Sequence, residues 1–195
     1  MKPMKKDLLL GLLESYSFMT GRFTLASGRE SDYYFDFRAS ASDPEAIKLV
    51  GELFFEELSS MDPKPDAVGG AIFGAAPIVT SIAIESYLQK APMPGFYVRK
   101  EPKKYGTMSF IEGTVDPARH RNIVMVEDVI TTGGSILRAV ERVREAFPEC
   151  NILRIMGVLD RMEGGRGNIE KAGYELWTLF TIRDLFDAHN RKKGQ

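Results

Sequence analysis

Residues 124–135, VMVEDVITTGGS, place two adjacent carboxylates between an apolar run and a string of small polar residues. Glu127 and Asp128 follow the apolar residues, and residues 131–135 are two threonines, two glycines and a serine. Small residues let successive backbone N–H groups converge on an anion, and the start of a helix adds partial positive charge. We therefore predict a cradle for one phosphate group, with Ser135 as the N-cap of a following helix.

The two carboxylates require a different part of the ligand. They cannot bind the same phosphate, because like charges repel. They must face neutral or cationic groups, such as sugar hydroxyls or a divalent metal that the ligand carries. A phosphorylated ribose offers both a phosphate and hydroxyls in one molecule. The alternative at this point is an ordinary loop between a strand and a capped helix, where glycine, threonine and acids are common.

Alternating strands and helices position this run. Apolar patterning predicts short strands at 23–25 and 33–37, and strands at 67–69, 96–98, 122–126, 152–159 and 176–180. It predicts helices at 4–15, from Pro44 onward, and at 75–89, 135–147 and 168–172. The alternation is typical of an α/β fold with a central, mainly parallel sheet flanked by helices. Ligands bind such sheets at the carboxyl ends of the strands, hence at loops 69–77, 99–113, 127–135 and 160–167.

Composition narrows the class of protein. The 195 residues are 44% hydrophobic and 27% charged, which suits one globular domain. A net charge of -1 gives no reason to expect nucleic acid or a membrane surface as a partner. One cysteine excludes an internal disulfide, and two histidines make a histidine-rich metal site implausible. The apolar run 8–13 is too short to span a membrane, so we expect a cytoplasmic protein.

The run 124–135 resembles the signature of type I phosphoribosyltransferases, in which two acids precede a threonine- and glycine-rich phosphate loop. The resemblance implies that Glu127 and Asp128 hold the ribose 2′- and 3′-hydroxyls of phosphoribosyl pyrophosphate (PRPP). It also implies that the 5′-phosphate is bound by the loop residues Val129, Ile130, Thr131, Thr132, Gly133, Gly134 and Ser135. The fold implied is that of type I phosphoribosyltransferases, with a small N-terminal hood region.

Three further segments are similar to the orotate phosphoribosyltransferases within that family. They are FTLASGRESDYYFD at 23–36, YVRKEPKKYG at 97–106 and LDR at 159–161. The resemblance implies that the pyrophosphate is bound by Arg99, Lys100, Lys103 and Tyr105, and orotate by Tyr34, Phe35, Thr131 and Arg161. From the residues alone, the cations could form a solvated loop, the aromatics could be core, and Arg161 could be a surface ion-pair residue.

The resemblance implies an enzyme of pyrimidine biosynthesis that converts orotate and PRPP to orotidine 5′-phosphate and pyrophosphate. Glu127, Asp128 and Lys103 would be catalytic, and Mg²⁺ would be held mainly through PRPP. Residues 1–195 would form one domain, in which 1–40 and a C-terminal part build the base-binding hood. Family members are homodimers with shared active sites. The rivals are a purine-base phosphoribosyltransferase and a non-catalytic PRPP-sensing regulator.

The chain departs from the common family pattern at three positions. Ala26 and Phe73 stand where many members carry lysine, and Tyr105 stands where histidine is usual. Pyrophosphate contacts from Ala26 and Phe73 are therefore not expected, and Tyr105 could donate one hydrogen bond without carrying the imidazole's charge.

Overall fold

The computed structural model describes residues 4–24, 28, 30–101 and 110–194. Its helices and strands follow one another along the chain in mostly alternating order. They are α1 (Lys5–Ser17), β1 (Phe18–Thr24), β2 (Glu30–Phe35), α2 (Phe37–Ala41), α3 (Pro44–Ser60), β3 (Ala67–Ala71), α4 (Ala76–Leu88), β4 (Gly95–Val98), β5 (Ile111–Gly113), β6 (Asn122–Ile130), α5 (Gly134–Ala146), β7 (Asn151–Asp160), α6 (Gly165–Lys171), β8 (Leu176–Thr181) and α7 (Ile182–Lys193).

A six-stranded sheet forms the centre, in the order β5-β4-β3-β6-β7-β8. All neighbouring pairs are parallel except β4 with the short edge strand β5. Strand β6 is central, and its side chains alternate between two cores. Val124 and Val126 pack with α1, α3, α4 and α7, whereas Ile123 and Met125 pack with α5 and α6. Both faces are thus covered by helices, which confirms the predicted α/β fold and explains the apolar character of β6.

The N-terminal strands β1 and β2 form a separate antiparallel pair. Phe18 of β1 makes an edge-on contact with Phe186 of α7, with ring centroids 5.1 Å apart. Tyr33 of β2 contacts the same ring at 5.5 Å. These contacts join the N-terminal hairpin to the C-terminal helix, so two segments far apart in sequence form one layer.

Several local predictions were wrong. Strand β6 continues to Ile130, so Glu127 and Asp128 lie inside the strand and not beyond its end. Helix α5 begins at Gly134 after a left-handed Gly133 (φ 77°), without a side-chain cap, so Ser135 is not the N-cap. Helices α2 and α7 and strand β5 had not been predicted. In the part of the chain that the structure describes, no helix is long and apolar enough to cross a membrane.

Candidate active site

The acid pair lies near the carboxyl end of β6. Glu127 is only 6% exposed, and its Oε2 atom has no hydrogen-bond partner among the described residues. Burial and the neighbouring Asp128 raise the pKa of Glu127 to about 8. The Oδ1 atom of Asp128 accepts a hydrogen bond from the Val129 backbone N–H at 2.9 Å, and burial raises its pKa as well. A buried carboxyl oxygen without a partner is expected to gain one from a ligand, and a hydroxyl would serve.

The segment between β6 and α5 forms a small concavity of about 90 Å³, lined by Glu127 and residues 129–136. Gly133 adopts a left-handed conformation that favours glycine. Because no side chain caps α5, the N–H groups of its first turn remain available to a ligand. Converging N–H groups at a helix N-terminus suit a phosphate. That residues 129–135 bind a phosphate stays a prediction, with which this concavity and the uncapped helix start are compatible.

Helix α6 packs against the segment 129–135, which is called the phosphate loop below after its predicted ligand. The Asn168 side-chain amide donates a hydrogen bond to the Thr132 carbonyl at 3.0 Å. Gly165 lies so close that a β-carbon there would be 2.7 Å from the Thr131 carbonyl oxygen. A β-carbon on Gly133 would meet Ile169 at 3.0 Å. The loop is thus held by close packing as well as by hydrogen bonds.

Cations follow β4 at the same edge of the sheet. Arg99 pairs with Glu112 at 2.9 Å, and Lys100 is exposed. Both line a cleft of about 350 Å³ against α5, which the phosphate-loop residue Ser135 also lines. Lys103 and Tyr105, the other two predicted pyrophosphate ligands, lie outside the described residues.

Arg138 of α5 also lines this cleft, and the sequence reasoning missed it. Its Nη1 atom lies 3.3 Å from the position that a β-carbon on Gly134 would take. The Arg138 guanidinium therefore lies against the first turn of α5. The four-residue spacing between the two positions on one helix face was a signal that could have found it.

Arg161 begins the loop after β7, next to the acid pair's strand. Its backbone N–H donates to the Ile130 carbonyl at 2.9 Å. Its Nε donates to the Tyr33 hydroxyl at 2.8 Å and lies 3.0 Å from Glu163 Oε1. The side chain is 12% exposed. Arg161 thus does form an ion pair, as the alternative reading of the sequence had it, but the pair is largely shielded from water.

The predicted aromatics of β2 divide between its two faces. Tyr34 contacts the Phe23 ring at 5.7 Å, whereas Phe35 packs against the core with Tyr33. Successive side chains of a strand point to opposite faces, so Tyr33 and Phe35 share one face and Tyr34 takes the other. The sequence reasoning missed Tyr33, which this alternation would have paired with Phe35.

The loop between β3 and α4 closes the other side of the acid pair. Phe73 in this loop is 83% exposed, and Gly74 packs against the Asp128 carboxylate.

Over residues 4–24, 28, 30–101 and 110–194, no group of three or more His, Cys, Asp or Glu side chains could hold a metal ion. The two site carboxylates are nonetheless hard oxygen donors of the type that Mg²⁺ prefers.

Comparison with known proteins gives consistent relatives. No protein-family model matches the chain. It is 38% identical over 185 residues to an orotate phosphoribosyltransferase of Pyrococcus abyssi, covering 95% of this chain and 97% of that protein. It is 40% identical over 182 residues to the enzyme of that name from Methanocaldococcus jannaschii, covering 93% and 97% of the two chains.

Solved structures agree. Mycobacterium tuberculosis orotate phosphoribosyltransferase in complex with PRPP superposes with a TM-score of 0.76 at 30% identity, covering 93% of this chain and 99% of that one. The same enzyme in complex with Fe(III) dicitrate gives 0.78 at 33% identity, with the same coverage. The identities and coverage, together with the acid pair, the segment 129–135 and the partly buried Arg161, lead to one conclusion. This chain belongs to the orotate phosphoribosyltransferase family.

Proposed function

We propose that this protein transfers the 5-phosphoribosyl group of PRPP to orotate, in the synthesis of pyrimidine nucleotides. The bond from ribose C1 to the pyrophosphate oxygen breaks, and a bond from C1 to an orotate ring nitrogen forms with inversion. The ring nitrogen loses its proton, and the products are orotidine 5′-phosphate and pyrophosphate. One observation carries the proposal beyond family membership: a partly buried arginine, Arg161, is hydrogen-bonded through its backbone to the strand that carries the acid pair and leads into the phosphate loop.

The proposed roles follow from charge and position. The phosphate loop, residues 129–135, holds the 5′-phosphate through its N–H groups and hydroxyls. Glu127 and Asp128 bind the ribose hydroxyls, and Asp128 stabilises positive charge that develops on the ribose ring. Arg161 binds the orotate carboxylate, because a planar guanidinium matches a carboxylate. Tyr34, Phe35 and Thr131 are proposed to complete the orotate site.

Neutralising the leaving pyrophosphate is assigned to the cations after β4. Arg99 and Lys100 are at the required edge of the sheet. Lys103 is proposed to complete this group, and Tyr105 to donate one hydrogen bond to the pyrophosphate. Segment 101–113 is proposed to close over the substrates and exclude water.

A Mg²⁺ ion fits this scheme if it arrives with PRPP. The described residues contain no cluster of three acidic, cysteine or histidine side chains that could hold the ion. Most of the Mg²⁺ ligands would therefore be pyrophosphate oxygens and water. Glu127 and Asp128 are the residues that could reach it. When bound, the ion offsets charge on the pyrophosphate.

We further propose that residues 1–195 form one domain, with a base-binding hood built by residues 1–40 and a C-terminal part. The packing of Phe18 against Phe186 supports that hood.

A cytoplasmic homodimer with shared active sites is also proposed. Support for dimerisation comes from α4, whose Ile84, Tyr87 and Leu88 side chains are exposed and apolar.

The decisive experiment follows orotate consumption by the purified protein with PRPP and Mg²⁺. We expect turnover with orotate and none with adenine or hypoxanthine. Asp128→Asn should fold normally and lose most of kcat, because the amide keeps the shape without the charge. Turnover with a purine base alone would reject the proposal in favour of a purine enzyme. PRPP binding without turnover of any base would indicate a regulator.

A further inference from the structure

The side chains of Arg161, Tyr33 and Glu163 contact one another in the part of the site where the pyrimidine is proposed to bind. Arg161 Nε donates to the Tyr33 hydroxyl at 2.8 Å, and the Tyr33 hydroxyl donates to Glu163 Oε1 at 3.3 Å. The third contact is the 3.0 Å ion pair between Arg161 Nε and the same carboxylate oxygen. The guanidinium carbon also lies 4.8 Å from the centre of the Tyr33 ring. The arginine is thus held at its Nε side and against one aromatic face.

The opposite edge of the guanidinium is free for a ligand. Within the described residues, neither Nη atom of Arg161 has a hydrogen-bond partner, and neither is among the buried unpaired atoms. The Nη1–Nη2 edge of a guanidinium can bind both oxygens of one carboxylate. A carboxylated pyrimidine would therefore be bound at the Nη edge while Tyr33 and Glu163 remain on Nε.

Tyr33 itself is fixed by packing. Its ring contacts Phe18 at 6.0 Å and Phe186 at 5.5 Å, so the hydroxyl has little freedom to move. Burial, opposed by Arg161, raises the pKa of the Tyr33 hydroxyl above its ordinary value. The hydroxyl thus stays protonated at neutral pH, accepting from Arg161 and donating to Glu163.

We propose that Tyr33 and Glu163 are positioning residues that orient the Arg161 guanidinium toward the carboxylate of the pyrimidine substrate. This inference rests on the proposed function and deepens it, because it assigns the preference for a carboxylated pyrimidine to three residues. Tyr33 fixes the angle of the guanidinium. Glu163 balances the charge of the guanidinium, which is largely shielded from water, when no substrate is bound.

The test uses Tyr33→Phe, which removes the hydroxyl and keeps the ring. Loss of one hydrogen bond to a charged group should raise the KM for orotate by roughly 5- to 20-fold. The Kd of orotidine 5′-phosphate, measured by calorimetry, should rise by a similar factor. The KM for PRPP should change by less than about twofold, since the Tyr33 hydroxyl is bonded to Arg161 and Glu163 and, among the described residues, to no residue of the phosphate loop. Tyr174→Phe is the matched control, because it removes a hydroxyl from a ring that faces Arg144 and not Arg161.

A double-mutant cycle separates positioning from general structural support. In an Arg161→Ala background, Tyr33→Phe should have no further effect on orotate or orotidine 5′-phosphate, because there is no guanidinium left to orient. Glu163→Ala should weaken orotate more than Glu163→Gln, since the amide oxygen can still accept from Tyr33.

Two kinds of failure are distinguishable. If the wild-type protein does not convert orotate, the proposed function fails and this inference falls with it. If the wild type does convert orotate, three results would each overturn the inference alone. They are an unchanged orotate KM in Tyr33→Phe, equal weakening of PRPP and orotate, or full additivity of Tyr33→Phe with Arg161→Ala.

Discussion

Gly74 and Asp128 are in such close contact that a β-carbon on Gly74 would lie 2.6 Å from the Asp128 carboxylate. The loop between β3 and α4 therefore forms one wall of the acid site. No side chain can be added there unless the carboxylate moves. The position of Asp128 thus depends on a residue 54 positions earlier in the chain.

Gly74→Ala should reduce kcat at least about tenfold, because a displacement of roughly 1 Å at a reacting group is costly. The melting temperature should change little, since a surface loop and not the core is altered. Kinetics and thermal unfolding of the same preparation provide the measurement. Gly11→Ala is the control, because a β-carbon on Gly11 meets no atom within 4 Å. Equal activity of the two variants would contradict the proposed wall.

Glu127→Gln should stabilise the protein at neutral pH while it lowers activity. Burial and Asp128 raise the pKa of Glu127 to about 8, so the fold favours the protonated form. The contribution of the Glu127 carboxyl to the free energy of unfolding is fully present below the pKa of about 4.3 that a glutamate has in the unfolded chain. It is lost as the pH rises toward 8. At pH 7 the melting temperature of the wild type should therefore lie below that of Glu127→Gln. Scans at pH 4 and pH 7 should show the gain only at pH 7; a gain of the same size at pH 4 would contradict this explanation.

Arg138→Gln should weaken PRPP without weakening orotate. The guanidinium leans over the positive end of α5 and has no carboxylate partner among the described residues, so only an anion there compensates it. One charge-assisted hydrogen bond corresponds to roughly a 10-fold rise in PRPP KM. Arg144→Gln removes the same charge from the same helix, where Arg144 stacks on Tyr174. If the two variants raise the PRPP KM equally, the effect is one of net charge and not of position.

Glu14→Gln should destabilise the contact between α1 and α7. Glu14 is buried and accepts hydrogen bonds from His189 at 2.7 Å and Lys192 at 2.8 Å. Burial alone would raise its pKa, but these two partners outweigh burial and lower it. The stability that the lowered pKa gives is present above the unfolded pKa and lost as pH falls through the folded pKa. Urea unfolding at pH 7 should show a loss of roughly 1–3 kcal/mol that shrinks toward pH 3. A loss that does not depend on pH would mean that packing, and not charge, is responsible.

The proposal that two subunits share each active site can be tested by mixing subunits. Lys103→Ala and Asp128→Asn homodimers should each be nearly inactive. If loop and acid pair come from different chains, each heterodimer has one intact site. Refolding an equal mixture should then restore about a quarter of wild-type activity, since about half the dimers are mixed. No recovery, with heterodimers confirmed by mass, would place both residues in one chain.

The sequence by itself determined the features that depend on neighbouring residues. The apolar run before Glu127 predicted a buried central strand, and the glycines and hydroxyls of 131–135 predicted the phosphate loop. Both depend on local composition and on which faces of an element are covered. Helix α7 also carried a local signal, the capping box between Thr181 and Asp184, but its apolar residues are few and only Ile182 and Leu185 are buried.

Tertiary structure decided which distant side chains meet. Tyr33 and Arg161 are 128 positions apart, and their hydrogen bond exists because the N-terminal hairpin packs on α7 beside the end of β7. The same packing, and not the local sequence, placed Gly74 on Asp128 and α6 behind the phosphate loop. Local patterns specify what each segment is, whereas the geometry between segments follows from packing the whole sheet and its helices at once.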